Sequence, residues 1–187
     1  MKKMFLVLTL LIIFPVSLAL GIEVGGVQLP DSLTINNTNL QLNGAGLRTK
    51  VVIKVYAGGL YLLQKETDPA KIITADEPMA IRMNFIHSKV SKESLVNAWN
   101  EGLANATNGN TTAIEKEIKE FNGYFQEDAK KGDVYDVIYL PGQGISVEKN
   151  GKRKGPIPGL EFKKAVFGIW LGEKPADAKL KKGMLGM

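Results

Sequence analysis

Arg48 is the residue whose type and position most strongly indicate binding chemistry. The chain has three arginines among its 24 basic residues, so a cation that served only surface solubility would more often be a lysine. Arg48 follows the glycine-rich residues 44–46 and precedes an apolar segment, and counting by two along the chain places Tyr56 on the same face. A guanidinium fork and a phenol donor together suit a carboxylate or a phenolate. The alternative is a surface arginine beside a core-edge tyrosine.

The surroundings of Arg48 suggest where its side chain lies. A glycine bend at 44–46 would let the backbone turn Arg48 inward without strain. We therefore expect its guanidinium at the inner end of a cleft, without an Asp or Glu partner. A half-buried, unpaired cation costs free energy, so a ligand is expected to supply the opposite charge.

Composition excludes several classes of function. The chain has no cysteine and a single histidine, His87, which excludes disulfides, thiolate chemistry, Cys-ligated zinc and any site that needs several histidines. The aromatic content of 7% is low for a base-stacking surface, and the net charge of +5 is spread along the chain, so no nucleic-acid partner is predicted. The glycine-rich residues 44–46 and 142–144 lack the full phosphate-binding motifs. We predict no metal and no cofactor, and a structural role for His87.

Residues 1–21 have the pattern of a secretory signal peptide. A basic start is followed by an apolar run at 4–14, by Pro15 and by small residues up to Gly21. Cleavage after Gly21 is predicted, and cleavage after Ala19 is the alternative. An uncleaved anchor is the competing interpretation, but the apolar run is short for a membrane span and Pro15 interrupts it. We expect a periplasmic or secreted protein with no stable membrane span after cleavage.

The remaining residues, 22–187, are predicted to form one α+β domain. Period-2 alternation predicts strands, whereas helical spacing follows Ser91, follows the threonines at 111–112, and recurs at 160–171 and 176–185. Asn150 and Gly151 indicate a two-residue β-hairpin turn. One long strand is predicted over 51–63. This order of strands and helices favours an antiparallel sheet with helices on one face.

Several segments of this domain resemble the chalcone isomerase-like proteins of the chalcone isomerase and fatty-acid-binding superfamily. They are residues 44–50, 54–62, 151–152, 158–175 and 180–186. The resemblance implies an open-faced β-sandwich, in which a large antiparallel sheet is covered on one face by helices and a ligand cleft lies between the two layers. It also suggests the exported, bacterial type.

The resemblance assigns roles to particular residues. Arg48 stands where the family places its catalytic or carboxylate-binding arginine, and Tyr56 takes the place of the enzyme's first catalytic threonine. Asn97 corresponds to the enzyme's helical asparagine if Val90 replaces the enzyme's tyrosine. The late catalytic threonine falls at Gly168 or at the residue after it, so its hydroxyl is absent. The cation is kept and several polar positioning groups are lost, which favours binding over cyclisation.

The sequence therefore predicts a monomeric, non-catalytic binder of an apolar ligand that bears a carboxylate, such as a fatty acid. Arg48, Tyr56 and Asn97 are the predicted ligand-binding residues, and no catalytic residue is assigned. Burial of the ligand's apolar tail is the expected driving force, about 0.8 kcal/mol for each methylene. One alternative is an isomerase, an intramolecular lyase that cyclises a chalcone-like phenolic substrate with Arg48 stabilising the nucleophile. Another is an envelope interaction module whose cleft is vestigial.

Overall fold

A computed structural model describes residues 21–187. The predicted signal peptide therefore lies outside the described residues, apart from Gly21. The main sheet has seven antiparallel strands in the order β11-β10-β9-β6-β5-β4-β3, and two small antiparallel pairs, β1-β2 and β7-β8, lie outside it. The strands are β1 (Gly21–Val24), β2 (Val27–Pro30), β3 (Ser32–Ile35), β4 (Thr38–Lys50), β5 (Ile53–Leu62), β6 (Met79–Phe85), β7 (Lys89–Val90), β8 (Ala129–Lys130), β9 (Val134–Leu140), β10 (Gly144–Lys149) and β11 (Lys152–Ile157).

Five helices accompany this curled sheet and pack on one of its faces. They are α1 (Pro69–Thr74), α2 (Lys92–Ala106), α3 (Glu115–Asn122), α4 (Leu160–Leu171) and α5 (Ala178–Met184). The main core lies between the sheet and the helices, and the alternating residues of the same strands form a smaller apolar cluster on the opposite face. The predicted α+β class, with a large antiparallel sheet covered on one face by helices, is confirmed.

The local signals for the middle of the chain are largely confirmed. The Ser91 hydroxyl accepts a hydrogen bond from the Ser94 amide at 3.2 Å and so caps α2. Asn150 and Gly151 both have positive φ and connect β10 to β11, as the hairpin signal predicts. Helix α1 was not predicted, because six residues are too few to show a helical period.

The glycines at 44–46 do not form the predicted bend. They lie within β4, which continues through them and pairs with β5 from Gln41 to Lys50, with a shift of register between Leu42 and Gly44. A Cβ at Gly46 would lie 3.1 Å from the Cα of Leu180, and one at Gly58 would lie 2.9 Å from the Cε of Met184. Because these glycines have no side chain, α5 packs directly against the backbone of the sheet at these positions.

The predicted single strand over 51–63 is also corrected. Lys50 pairs with Ile53, so Val51 and Val52 form the two-residue turn of a hairpin between β4 and β5. Val51 has φ of 58°, a left-handed conformation that is unfavourable for a β-branched residue. Arg48 and Tyr56 therefore lie on neighbouring strands as direct cross-strand partners, and not on one strand.

Lys163 is a charged residue in the middle of the core. It lies on α4 with 0% of its surface exposed. Its ammonium group donates hydrogen bonds to the carbonyl oxygens of Ile72, Ile73 and Ala75 at 2.9, 2.8 and 2.7 Å. These carbonyls belong to the C-terminal end of α1, where the backbone acceptors have no partner within the helix. Burial lowers the pKa of Lys163 to about 8.

Candidate ligand cavity

A cavity of about 550 Å³ lies between the β4-β5 hairpin and helix α2. This volume is within the usual range of ligand sites, about 300–1,000 Å³. Apolar side chains make up most of the lining, together with polar and charged ones that include Ser94, Glu101 and Asn105 of α2. The lining residues on which the argument depends are Arg48, Lys50, Ile53, Val55, Tyr56, Phe85, His87, Lys89, Val90, Leu95, Trp99 and Ile169.

The β4-β5 pairing positions Arg48 and Tyr56 in this cavity. Their Cα atoms are register partners, and the register of the pair shifts between Arg48 and Thr49. Such a bulge re-aims the side chains beside it and increases the local twist of the strand. The sequence thus places both predicted donors on the cavity wall, through cross-strand pairing rather than through the spacing along one strand.

The guanidinium of Arg48 is only partly engaged by the protein. Its Nη1 donates to the Thr49 carbonyl oxygen at 3.3 Å, and the Arg48 side chain makes no other hydrogen bond within residues 21–187. The other two arginines are held more closely. Arg82 donates two bonds of 2.7 Å to Asp136, and Arg153 lies 3.1 Å from Glu148. Arg48 is therefore the arginine with donor capacity to spare.

The expectation that Arg48 has no carboxylate partner is wrong. Its Nη1 lies 3.8 Å from Oδ2 of Asp177, which precedes α5. The Asp177 carboxylate, however, accepts backbone hydrogen bonds from Thr49 at 3.0 Å, Lys179 at 2.8 Å and Leu180 at 3.0 Å. Burial alone would raise the pKa of Asp177, but these backbone donors outweigh it and lower that pKa. Asp177 thus anchors α5 to β4, and it leaves the Arg48 fork free for another anion.

Tyr56 adds a second donor. Its ring is buried, and its hydroxyl oxygen accepts a hydrogen bond from Nε1 of Trp170 at 2.8 Å. Within the described residues its own O–H has no acceptor. Burial raises the pKa of Tyr56 to about 12, against smaller lowering effects of the Trp170 bond and the positive charge of Arg48. The phenol therefore stays protonated at neutral pH and has one hydrogen to donate.

The other two residues discussed in the sequence analysis, His87 and Asn97, differ in their position relative to the cavity. His87, which was predicted to be structural, lies on the wall of the cavity, and its backbone amide donates to the Val55 carbonyl. Asn97 lies on an exposed part of α2, and the structure does not bring it into this cavity. Successive residues of a helix are rotated by about 100°, so Asn97, midway between Leu95 and Trp99 in the chain, lies on a different face of α2 from those two lining residues. The inner face of α2 contributes the indole of Trp99 instead, which the sequence analysis treated only as core.

A larger cleft of about 730 Å³ lies elsewhere, next to β8, β9 and β10. More than half of its lining residues are charged, and only some of them are paired: Lys149 lies 3.1 Å from Glu127 and 3.4 Å from Asp133. The cavity at Arg48 has the more apolar wall and places a partly engaged arginine beside a phenol, which describes a small-molecule site better than a larger cleft lined mainly by charged side chains. The cavity at Arg48 is therefore the candidate site.

Comparisons with known proteins agree with this architecture. A family model described as chalcone isomerase-like matches residues 21–186. The chain therefore belongs to the chalcone isomerase-like family, as its sequence segments indicated.

The sequence comparison and the structure comparison both lead to a fatty-acid-binding protein of Arabidopsis thaliana. A curated relative, fatty-acid-binding protein 1, is 23% identical over 117 residues, which is 61% of this chain and 42% of that protein. The chain thus matches less than half the length of that relative. A crystal structure of an Arabidopsis thaliana fatty-acid-binding protein superposes with a TM-score of 0.71 at 22% identity, covering 86% of this chain and 92% of the other. This likeness establishes the shared fold.

In the part of the chain that the structure describes, no helix has both the length and the apolar character needed to cross a membrane. The same residues hold no cluster of three or more His, Cys, Asp or Glu side chains suited to a metal ion.

Proposed function

We propose that this protein binds a fatty acid, or a similar apolar molecule with a carboxylate, without converting it. The observation that carries the proposal is the pairing of Arg48 with Tyr56 at a mostly apolar cavity. The carboxylate accepts from the guanidinium and from the free O–H of Tyr56, and the apolar walls surround the tail. The names of the Arabidopsis relatives support this class of ligand. As part of the proposal, the chain is exported by its N-terminal segment.

The composition of the cavity wall supports binding rather than cyclisation. The resemblance places the hydroxyl-bearing residues of chalcone isomerases at Val90 and at Gly168 or Ile169, none of which has a hydroxyl, and Val90 and Ile169 line the cavity with apolar side chains. The polar side chains that remain on the wall, among them His87, Ser91, Ser94 and Asn105, stand at other positions. A guanidinium stabilises a bound carboxylate as well as it stabilises a phenolate nucleophile, so Arg48 by itself is consistent with binding.

Titration calorimetry with palmitate and with hexadecanol tests the proposal. Both probes have the same number of carbons, so the burial of their tails is closely matched, and they differ in the charge of the head group. We expect palmitate to bind at least about tenfold more tightly, because a charge-assisted hydrogen bond contributes about 1.5–3 kcal/mol. Equal affinity for the two, or no binding of palmitate, would contradict the proposal.

A further inference from the structure

The tip of the β4-β5 hairpin, residues 50–54, presents apolar side chains to water. Val51, Val52 and Ile53 are 92%, 85% and 46% exposed. They are consecutive in the chain, so they form one apolar projection and not scattered surface residues. Contiguous exposed apolar surface on a soluble fold marks a site of interaction.

The backbone of this tip indicates that the apolar side chains are there for a reason other than folding. Val51 occupies the first position of a two-residue hairpin turn with φ of 58°. Glycine is the residue that suits this position, because a β-branched side chain is strained at positive φ. Backbone strain of this kind is typical of functional segments. Valine at this position costs conformational free energy and makes no compensating buried contact, because 92% of it is exposed.

The charges around the tip define the partner. Lys50 and Lys54 flank the three apolar residues on either side and are themselves exposed. Lys89 of β7 is also exposed and lines the same cavity as Lys50, but its ammonium group is paired with Asp128 at 2.9 Å, so Lys50 and Lys54 are the cations on which the argument rests. Residues 48–56 contain no acidic residue. An apolar tip between lysines complements a lipid bilayer with anionic head groups, in which the tip enters the interface and the ammonium groups contact phosphates.

The tip also lies at the cavity. Lys50 and Ile53 belong both to the tip and to the lining of the cavity that holds Arg48. We infer that the β4-β5 tip docks this protein on an anionic phospholipid surface, with the ligand cavity opening at the point of contact. The docking itself depends only on the tip, whereas the exchange of fatty acid between bilayer and cavity rests on the proposed function.

Vesicle flotation tests the docking. The chain from residue 21 onward is used, because the sheet, the helices and both apolar clusters lie within it, and the apolar run at 4–14 would bind lipid by itself. Its circular dichroism and cooperative unfolding are recorded first. The vesicles are phosphatidylglycerol mixed with phosphatidylcholine in one set and phosphatidylcholine alone in the other, both free of added fatty acid.

The informative variant is Val51→Gly with Val52→Ser. Glycine relieves the turn, so this variant is expected to unfold at the same or a higher temperature than the wild type. We expect the wild type to partition at least tenfold more strongly onto the anionic vesicles than onto the neutral ones, and the variant to lose at least tenfold on the anionic ones. Lys50→Gln with Lys54→Gln should lose about fivefold per lysine. Leu63→Ser, at the other end of β5, is the apolar control and should bind as the wild type does.

Wild-type and variant chains that float equally with anionic vesicles, or a wild type that floats with neither set, would overturn the docking. The palmitate titration in solution separates this result from the proposed function. If palmitate does not bind but the tip still docks, the proposed function is wrong and the docking stands. If palmitate binds but the protein does not float with the vesicles, the docking is wrong and the proposed function stands.

Discussion

Replacing Arg48 with alanine is expected to weaken palmitate binding by about 2–3 kcal/mol, or roughly 30- to 150-fold. The substitution removes the cation opposite the carboxylate and leaves the Tyr56 phenol as the buried donor, since Lys50 and Lys89 on the same lining are exposed to solvent. This loss of affinity is at the lower end of the range for removing one partner of a buried charge pair. The reason is that 20% of the Arg48 side chain is exposed and that the Asp177 carboxylate, 3.8 Å away, already offsets part of its charge. Titration calorimetry at neutral pH measures the difference.

Lys50→Ala is the matched control for this substitution. Lys50 lines the same cavity but is exposed to solvent, so its charge is screened and its removal should change affinity by less than about threefold. The fold should tolerate both substitutions, since an ion pair as long as that between Arg48 and Asp177 contributes at most about 1 kcal/mol. An Arg48→Ala variant that binds palmitate like the wild type would exclude Arg48 as the head-group residue.

Replacing Lys163 with methionine is expected to lower the free energy of unfolding by about 2–4 kcal/mol. Methionine fills a similar volume, so little packing is lost, but three carbonyl oxygens at the end of α1 lose their donor. Relief of the buried charge offsets part of this cost. Chemical denaturation measures the change, and Lys164→Met is the control. Lys164 is a half-buried neighbour that pairs with Glu161 on the surface, and its loss should cost less than about 0.5 kcal/mol.

The same variant should reveal the pKa of Lys163. Burial lowers that pKa to about 8, whereas an unfolded lysine titrates near 10.4. Between these two pH values the unfolded chain binds a proton that the folded chain does not, so the Lys163 contribution to the free energy of unfolding rises with pH across this window. The stability difference between wild type and Lys163→Met should therefore widen from pH 8 to pH 10. A difference that stays flat or narrows would mean that Lys163 is not buried as a shifted lysine.

The parts of the fold that were predictable are those with strong local signals. The Ser91 cap, the Asn150-Gly151 turn and the buried stripe of α4 each depend on a few neighbouring residues. The errors at 44–63 have a different origin. Glycine in a strand and glycine in a bend look alike in sequence, and only the packing of α5 on Gly46 and Gly58 distinguishes them. Lys163, which caps the end of α1, lies 88 residues beyond Ala75, and no local sequence pattern predicts a contact between such distant residues.

The candidate site was predictable for related reasons. The scarcity of arginine singled out Arg48, and counting by two along the chain, together with the family resemblance, added Tyr56, so both predicted donors line the cavity although the predicted strand arrangement was wrong. Asp177 was missed because it approaches Arg48 from 129 positions further along the chain, through the docking of α5. Asn97 was predicted from the family resemblance, and the sequence does not define which face of α2 is turned towards the cavity. The Trp170 bond that fixes the Tyr56 hydroxyl is again a contact between distant segments.

The central claim is that a carboxylate sits between Arg48 and Tyr56 within the cavity. Carbon-13 NMR of palmitate labelled at its carboxyl carbon tests this most directly, by following the chemical shift of the bound carboxyl as the pH is lowered. We predict one narrow bound resonance whose carboxyl stays ionised well below the pH at which free fatty acid is protonated, because a neighbouring guanidinium and a hydrogen-bond donor favour the charged form. The depressed titration should disappear in Arg48→Ala. A bound carboxyl that titrates as it does in water, or identically in the two proteins, would contradict the account.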